Sequence, residues 1–282
     1  NKAAPTCAAC PLLRVCPVAA LIAPMREDGE TGGAQRPRPY TVRPPFGPRR
    51  FAPGDALTFG LTLIGQAAQL FPYVVMAAQG VEQTGLGRRL GANGGRRGAL
   101  QIDAIAAVDP LTGARAPLYA RGHPQVQAPG LPIDAEAVAA YAAALPTDRL
   151  TLCFQTPLRL TEKRDGATRL VHRFDPYPFF ARLAWRLDQL ALFYGGGPPA
   201  TDHHALLSQA ERVQIVDDQT RWVDVVSYSS RTRERTPIGG LVGSVTIAGD
   251  LAALRELLVW GSLIHVGKNA VKGDGWYQIA AA

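Results

Sequence analysis

The chain has 282 residues, of which 47% are apolar and 19% are charged, and this composition excludes an intrinsically disordered protein. It has no apolar run long enough to cross a membrane, and its first residues lack the apolar stretch of a signal peptide. We therefore expect a cytoplasmic protein without a membrane partner. The formal net charge is +7, and most of the basic residues are arginine, whose planar fork suits phosphate. This charge favours nucleic acid as the partner, with codon bias toward arginine as the alternative.

The first half of the chain predicts an irregular segment followed by an incomplete domain. Residues 1–38 are rich in Pro, Gly and Cys and predict no regular element. Residues 39–122 predict a short strand, a strand of alternating apolar residues, a helix, a glycine- and arginine-rich loop and a final strand. This β-β-α-β order is that of a ferredoxin-like domain without its opening strand and helix, which we expect upstream of Asn1.

The second half predicts a complete domain of the same kind. Residues 123–148 form a Pro- and Ala-rich linker that contains one helix. Residues 149–282 predict a strand, a helix that ends at Gly195, a short second helix, two strands, a helix capped by Asp250 and a last strand. The order β-α-β-β-α-β completes the prediction of an α+β protein with tandem ferredoxin-like (RRM-like) domains.

A glycine-rich loop precedes the last predicted strand. Its sequence, GSLIHVGKNAVKGDGWY over residues 261–277, contains four glycines and two lysines. It is not a P-loop, because five residues separate the first glycine from the Gly-Lys pair and Asn269 follows the lysine. An ordinary connection between a helix and a strand needs one or two glycines. This loop therefore favours contact between backbone N–H groups and a phosphodiester chain.

Together with four shorter motifs, this loop resembles the CRISPR precursor-RNA processing endoribonucleases of the repeat-associated (RAMP) superfamily. The motifs are Trp222-Val223-Asp224, Tyr228-Ser229-Ser230-Arg231, Gly239-Gly240-Leu241-Val242-Gly243 and Tyr40-Thr41-Val42-Arg43-Pro44-Pro45. The resemblance extends from Cys7 to Ile279 and implies two ferredoxin-like domains that bind CRISPR repeat RNA. It also implies sequence-specific, metal-independent cleavage of precursor CRISPR RNA into guide units, which leaves 2′,3′-cyclic phosphate and 5′-hydroxyl ends. The alternative is a related subunit that holds guide RNA in a CRISPR effector complex without cutting it.

Histidine is the natural proton carrier for such a reaction near neutral pH. His265 is the best placed of the five histidines, because it lies in the glycine-rich loop. The resemblance also implies a histidine near the first helix of the first domain, so we expect the catalytic histidine either at His265 or upstream of Asn1. For each remaining histidine a surface or packing role is the simpler explanation; these are His123, His172, His203 and His204.

Basic and aromatic residues predict an RNA path beside this loop. Three arginine-rich clusters lie in loops or at element ends, where an ordinary solvated surface is the alternative. Together with the glycine-rich loop they favour one path held by phosphate and shape contacts, with a few bases stacked on Arg or Tyr. The residues predicted to bind RNA are Gly261, Gly267, Lys268, Asn269, Lys272, Gly273, Gly275, Tyr228, Ser230, Arg231, Arg233, Arg235, Tyr40, Arg43, Arg49, Arg50, Arg88, Arg89, Arg96 and Arg97.

Three cysteines lie within ten residues near the start, at Cys7, Cys10 and Cys16. Disulfides are not expected in a cytosolic protein, so this spacing favours metal binding. The spacing is similar to that of three ligands of the [4Fe–4S] cluster in endonuclease III type DNA glycosylases and in some CRISPR-associated nucleases. The fourth ligand would be Cys153 or a cysteine upstream of Asn1. We expect an iron–sulfur cluster ahead of zinc, as a structural staple not needed for cleavage, with a degenerate site as the alternative.

Overall fold

The computed structural model describes residues 7, 9–25, 36–45, 50–123, 125–164, 166–197, 202–229 and 233–282. Its helices and antiparallel sheets confirm the predicted α+β class. Across the described ranges, no helix has both the length and the apolar character needed to span a membrane.

The first half of the chain is built from helices and β-hairpins. Its elements are α1 (Pro17–Ile22), β1 (Tyr40–Arg43), β2 (Gly60–Leu63), α2 (Phe71–Thr84), β3 (Leu86–Leu90), β4 (Arg96–Gly98), β5 (Ala104–Val108) and β6 (Arg115–Ala120). In the described residues these strands form three two-stranded antiparallel sheets: β1 with β2, β3 with β4, and β5 with β6. A small core of Phe71, Val75 and Leu118 joins α2 to the β5–β6 hairpin. The predicted glycine- and arginine-rich loop is therefore a β-hairpin rather than a loop.

The second half contains the complete β-α-β-β-α-β order. Its elements are α3 (Ala135–Ala143), β7 (Arg149–Leu158), β8 (Thr161–Arg164), β9 (Ala167–Leu170), α4 (Pro176–Tyr194), α5 (His203–Ala210), β10 (Gln214–Asp218), β11 (Arg221–Val223), β12 (Val226–Ser229), β13 (Glu234–Pro237), β14 (Gly240–Ala248), α6 (Arg255–Ile264) and β15 (Tyr277–Ala281). The main sheet has the order β10-β14-β7-β15, and β11 also pairs with β14. All of these pairs are antiparallel, as a ferredoxin-like fold requires.

The core of this domain lies between the sheet and the helices α4 and α6. Alternate residues of the central strand β7 are buried, as its sequence pattern predicts: Leu150, Leu152 and Phe154. Phe154 packs edge-on against Phe179 of α4 and Tyr277 of β15. Each fully buried side chain of this size stabilises the fold by roughly 1.5–3 kcal/mol.

Local signals fix the ends of α4. The Asp175 carboxylate accepts a hydrogen bond from the Tyr177 backbone N–H, and Pro176 occupies the first turn, where a missing N–H costs nothing. The helix ends at Tyr194, immediately before Gly195 as predicted. This register turns Phe179, Phe180 and Leu183 toward the core.

The helix predicted as part of a linker belongs to the core. Val138 and Ala142 of α3 are buried, and the Arg255 guanidinium of α6 donates to the main-chain carbonyls of Ala143 and Leu145. The linker prediction was wrong because α3 packs on α6, which lies more than a hundred residues later in the chain, and no local sequence pattern shows that contact. Several strands were not predicted, namely β6, β8, β9, β10 and β13. The strand expected near residues 222–228 is divided between β11 and β12.

Candidate nucleic-acid interface

Most of the predicted site residues of the second domain meet at one end of its sheet. Strand β7 ends there, and β14 begins there, because Leu158 pairs with Leu241. The glycine-rich loop (residues 265–276) enters β15 at the same end, where Tyr277 pairs with Phe154. The β12–β13 hairpin leaves β11 beside the start of β14. We call this region the sheet end.

Main-chain hydrogen bonds hold the glycine-rich loop against the end of β7. The Gly275 N–H donates to the Pro157 carbonyl at 2.9 Å, and the Lys268 N–H donates to the Arg159 carbonyl at 2.9 Å. The Val266 N–H donates to the Gly275 carbonyl at 3.1 Å and closes the loop on itself. The side chains of Lys268 and Lys272 are exposed on the outside of this fixed loop.

Three of the four predicted RNA-contacting glycines have a packing role instead. Gly261, Gly273 and Gly275 are buried. A Cβ on Gly261 would lie 2.2 Å from the Tyr277 hydroxyl, and one on Gly275 would lie 1.8 Å from the Val266 carbonyl oxygen. Gly273 and Gly275 lie in the loop, whereas Gly261 lies in α6. The sequence analysis assigned all three to phosphate approach, but the fold needs them for close internal contact. Gly267 is half-buried, beside the Arg159 carbonyl.

His265 is buried under this loop. None of its surface is exposed, its φ is 60°, and neither ring nitrogen makes a hydrogen bond of good geometry to a described residue. Its ring stacks on Trp276 with 6.3 Å between centroids. Burial, together with the charges of Arg186 and Arg43, lowers the pKa of His265 to about 3. A buried, neutral imidazole does not reach RNA, so this geometry argues against the catalytic role predicted for His265.

Two arginines lie beneath the same loop. Arg43 of β1 places its guanidinium 5.3 Å from the centre of the Trp276 ring, and the Nε of Arg186 donates to the Ile264 carbonyl at 2.9 Å. Burial lowers the pKa of both groups, to about 10 for Arg186. The Thr41 hydroxyl also donates to the Leu263 carbonyl in the last turn of α6. A Cβ on Gly273 would lie 3.0 Å from the Val42 carbonyl oxygen, so β1 packs against both α6 and the loop. Arg43, which was predicted to bind RNA, therefore contacts Trp276 within the fold.

Two exposed hairpins carry the other predicted cations. On the β12–β13 hairpin, Tyr228 is 61% exposed and pairs with Arg235, while Arg233 is exposed next to the turn. The four arginines of the β3–β4 hairpin are also exposed: Arg88, Arg89, Arg96 and Arg97. Of the remaining predicted residues, Tyr40 is half-buried in β1, Asn269 is half-buried in the loop and Arg50 is exposed. Arg49, Ser230 and Arg231 lie outside the described residues.

Arg159 is a residue that the sequence analysis missed. It follows β7 directly, and its guanidinium donates to the Gly239 carbonyl at 2.7 Å and lies 5.8 Å from the centre of the Trp222 ring. The exposed His172 contacts the same tryptophan, with 4.3 Å between ring centroids and 41° between the ring planes. The sequence signal for Arg159 was its position directly after β7, the strand with the clearest alternation of apolar residues.

A cleft of about 600 Å³ opens at the sheet end. Residues from β7, β11, β14 and the glycine-rich loop line it, among them Gln155, Arg221 and Asp274. Asp274 is only 6% exposed, and burial raises the pKa of its carboxyl group to about 6, against the smaller opposing effects of Asn269 and Lys272. The sequence analysis did not single out this carboxyl group.

The four cysteines are free thiols. Cys7 and Cys10 lie in a turn closed by the Cys10 N–H and the Cys7 carbonyl, Cys16 precedes α1, and Cys153 lies in β7. Among the described residues no three His, Cys, Asp or Glu side chains are grouped to hold a metal ion. The arrangement does not fit the predicted four-thiolate site, so the cluster stays a prediction and no step below relies on it.

Comparisons with known proteins agree with this architecture. A family model described as CRISPR-associated endoribonuclease Cas6 matches residues 152–277, and one described as an N-terminal domain matches residues 1–131. The chain is similar in fold to a Cas6 product complex, with 18% identity, a TM-score of 0.55, and coverage of 86% of this chain and 82% of the other. It is also similar to the Cas6-containing chain of a partial Cas6-RT-Cas1–Cas2 complex, with 17% identity, a TM-score of 0.56, and coverage of 86% and 39%. No curated protein sequence matches the chain.

Proposed function

We propose that this chain, whose residues 152–277 match a family model described as CRISPR-associated endoribonuclease Cas6, binds CRISPR repeat RNA and cuts precursor CRISPR RNA into guide units. The cut is metal-independent and leaves 2′,3′-cyclic phosphate and 5′-hydroxyl ends. The chain acts in the cytoplasm, and the product stays bound for transfer to a CRISPR effector complex.

The observation that carries this proposal is the position of exposed cations around a rigid loop. Lys268 and Lys272 project from a loop fixed by hydrogen bonds to the end of β7. Arg233 and Arg235 extend from the neighbouring hairpin beside an exposed Tyr228. Cations on a fixed loop bind phosphates with little loss of loop freedom, and an exposed tyrosine offers a face for an unpaired base.

The reaction itself needs two proton transfers and support for the phosphate. The RNA 2′-oxygen loses its proton and attacks the adjacent phosphorus, the bond from phosphorus to the 5′-oxygen breaks, and the 5′-oxygen takes up a proton. Lysine and arginine side chains at the sheet end stabilise the extra negative charge on the phosphate. No metal ion takes part in these steps.

His172 is the histidine whose ring contacts the sheet end. It is exposed, its ring contacts the Trp222 ring at a tilt, and the Arg159 guanidinium lies 5.8 Å from the centre of the Trp222 ring. By contrast, His203 pairs with Asp188 at 2.7 Å and His265 is buried. Among the histidines of this chain, His172 is therefore the better candidate for a proton carrier, and His204 is an exposed control on α5.

A single-turnover assay with end-labelled repeat RNA in EDTA tests the proposal. We expect a shorter product with a 2′,3′-cyclic phosphate, and slower cleavage by His172→Ala than by His204→Ala at unchanged RNA affinity. Tight binding without a product would instead support the guide-RNA-binding subunit. Normal cleavage by His172→Ala would place the proton carrier elsewhere.

A further inference from the structure

The cleft at the sheet end has a chemistry that phosphate binding does not explain. Its polar lining includes two carboxylates, Asp224 and Asp274, beside Arg221 and Gln155. Carboxylates repel phosphates, so these two side chains disfavour binding of the RNA backbone in the cleft. A carboxylate in such a path suits a group that presents hydrogen-bond donors, and in RNA those donors are on the edges of the bases.

Both carboxylates are held in place. The indole N–H of Trp222 donates to Asp224 Oδ1 at 3.0 Å, which leaves the second oxygen of this exposed side chain available. Asp274 is anchored in the fixed loop, and its buried Oδ2 makes no hydrogen bond to a described residue. An unpaired buried acceptor is costly, and a donor that enters the cleft would remove that cost.

The shape and position of the cleft also suit a base. Its volume of about 600 Å³ lies within the ~300–1,000 Å³ typical of small-ligand sites. Val223 and Val242 give it apolar surface against which a flat ring can lie. It lies at the base of the β12–β13 hairpin and borders the glycine-rich loop, so an RNA strand bound to both elements would pass over it.

We propose that this cleft binds an unpaired guanine of the RNA, with Asp224 and Asp274 accepting its N1–H and N2–H groups and Arg221 or Gln155 donating to its O6. Guanine fits better than the other bases, because it alone presents two adjacent donors beside an acceptor on one edge. The inference rests on the proposed RNA-binding function and adds a specificity site to it.

Fluorescence anisotropy with short RNAs tests this assignment. The probes are 5′-labelled hexamers of uridine that carry guanosine, inosine, cytidine, adenosine or uridine at one central position, at pH 7.5 and low salt. We expect the guanosine probe to bind about tenfold more tightly than the uridine probe. Inosine, which lacks the N2 amino group, is expected to lie between them.

Asp224→Asn and Asp274→Asn are expected to bring the guanosine-to-uridine ratio close to one while leaving the uridine affinity within about twofold. Lys268→Ala is the matched control, because it removes a phosphate contact and weakens all probes equally. Because Asp274 is buried, circular dichroism checks that Asp274→Asn is folded. If Asp274→Asn is unfolded, the test rests on Asp224→Asn, since Asp224 is exposed. A wild-type chain that binds the probes without base preference, or an Asp224→Asn variant that keeps the preference, overturns the inference. Repeat RNA bound and cut without such a preference leaves the proposed function standing, whereas no binding of any RNA overturns both.

Discussion

The burial of His265 gives a prediction that separates a structural histidine from a catalytic one. The pKa of His265 is about 3 in the folded chain, against an ordinary value of 6.5 that the unfolded chain recovers. The unfolded state therefore takes up the proton first as the pH falls. The resulting stability is complete above about pH 6.5 and is lost progressively toward pH 3. At pH 5.0 the loss from this group is about 2 kcal/mol, from 1.36 kcal/mol per pKa unit over the interval from 6.5 to 5.0.

Two measurements test this reasoning. In urea unfolding, the loss of stability from pH 7.5 to 5.0 is expected to shrink by about 2 kcal/mol in His265→Asn, and not in His204→Asn, whose side chain is exposed. Asparagine suits the test because it tolerates positive φ better than most residues. In NMR spectra of histidine-labelled protein, the His265 ring signals are expected to stay constant from pH 8 to 5. A His265 signal that titrates near pH 6–7, or cleavage abolished in a stably folded His265→Asn, would refute the structural role.

Three further predictions concern the loop, the RNA path and the cysteines. Gly275→Ala is expected to destabilise the chain by at least about 2 kcal/mol in thermal unfolding, because its Cβ would lie 1.8 Å from a carbonyl oxygen, whereas Gly94→Ala, with nothing within 4 Å, costs less. Lys268→Ala with Lys272→Ala is expected to weaken RNA binding and to reduce the slope of log K against log salt by up to about 1.4, and an unchanged slope would remove both lysines from the RNA path. Anaerobically purified protein that contains the predicted [4Fe–4S] cluster is expected to absorb near 400 nm, and a colourless sample without iron would contradict the cluster.

The elements with strong local signals were predictable from the sequence. The alternation of β7 gave its buried face, and the Asp175 cap, the adjacent proline and Gly195 gave the ends of α4. These signals depend on residues next to one another in the chain, which a sequence shows directly. The linker assignment of α3 failed because the helix packs on α6, more than a hundred residues away, and no local pattern carries that contact.

The candidate site shows the same limit at the level of single side chains. The glycine-rich loop was located correctly, but the direction in which each residue points depends on its tertiary contacts. Lys268 faces outward while His265, three residues earlier, is enclosed by Trp276, Arg43 and Arg186, which come from three separate parts of the chain. Asp274 is recognised as a candidate site residue only from the structure, which places it in one cleft with Asp224 and Arg221.

The structure separates the arginines into two groups, those that contact the fold and those that are exposed on hairpins. Arg186 and Arg159 donate to main-chain carbonyls, and burial lowers the pKa of Arg186, so these side chains serve the fold. The arginines of the β3–β4 and β12–β13 hairpins are exposed on two-stranded arms outside the main sheet. Codon bias alone would not concentrate the exposed arginines on these two hairpins. Ordering such an exposed cationic hairpin costs conformational entropy, which binding to a partner can offset. The positive charge of these hairpins fits a polyanion such as RNA.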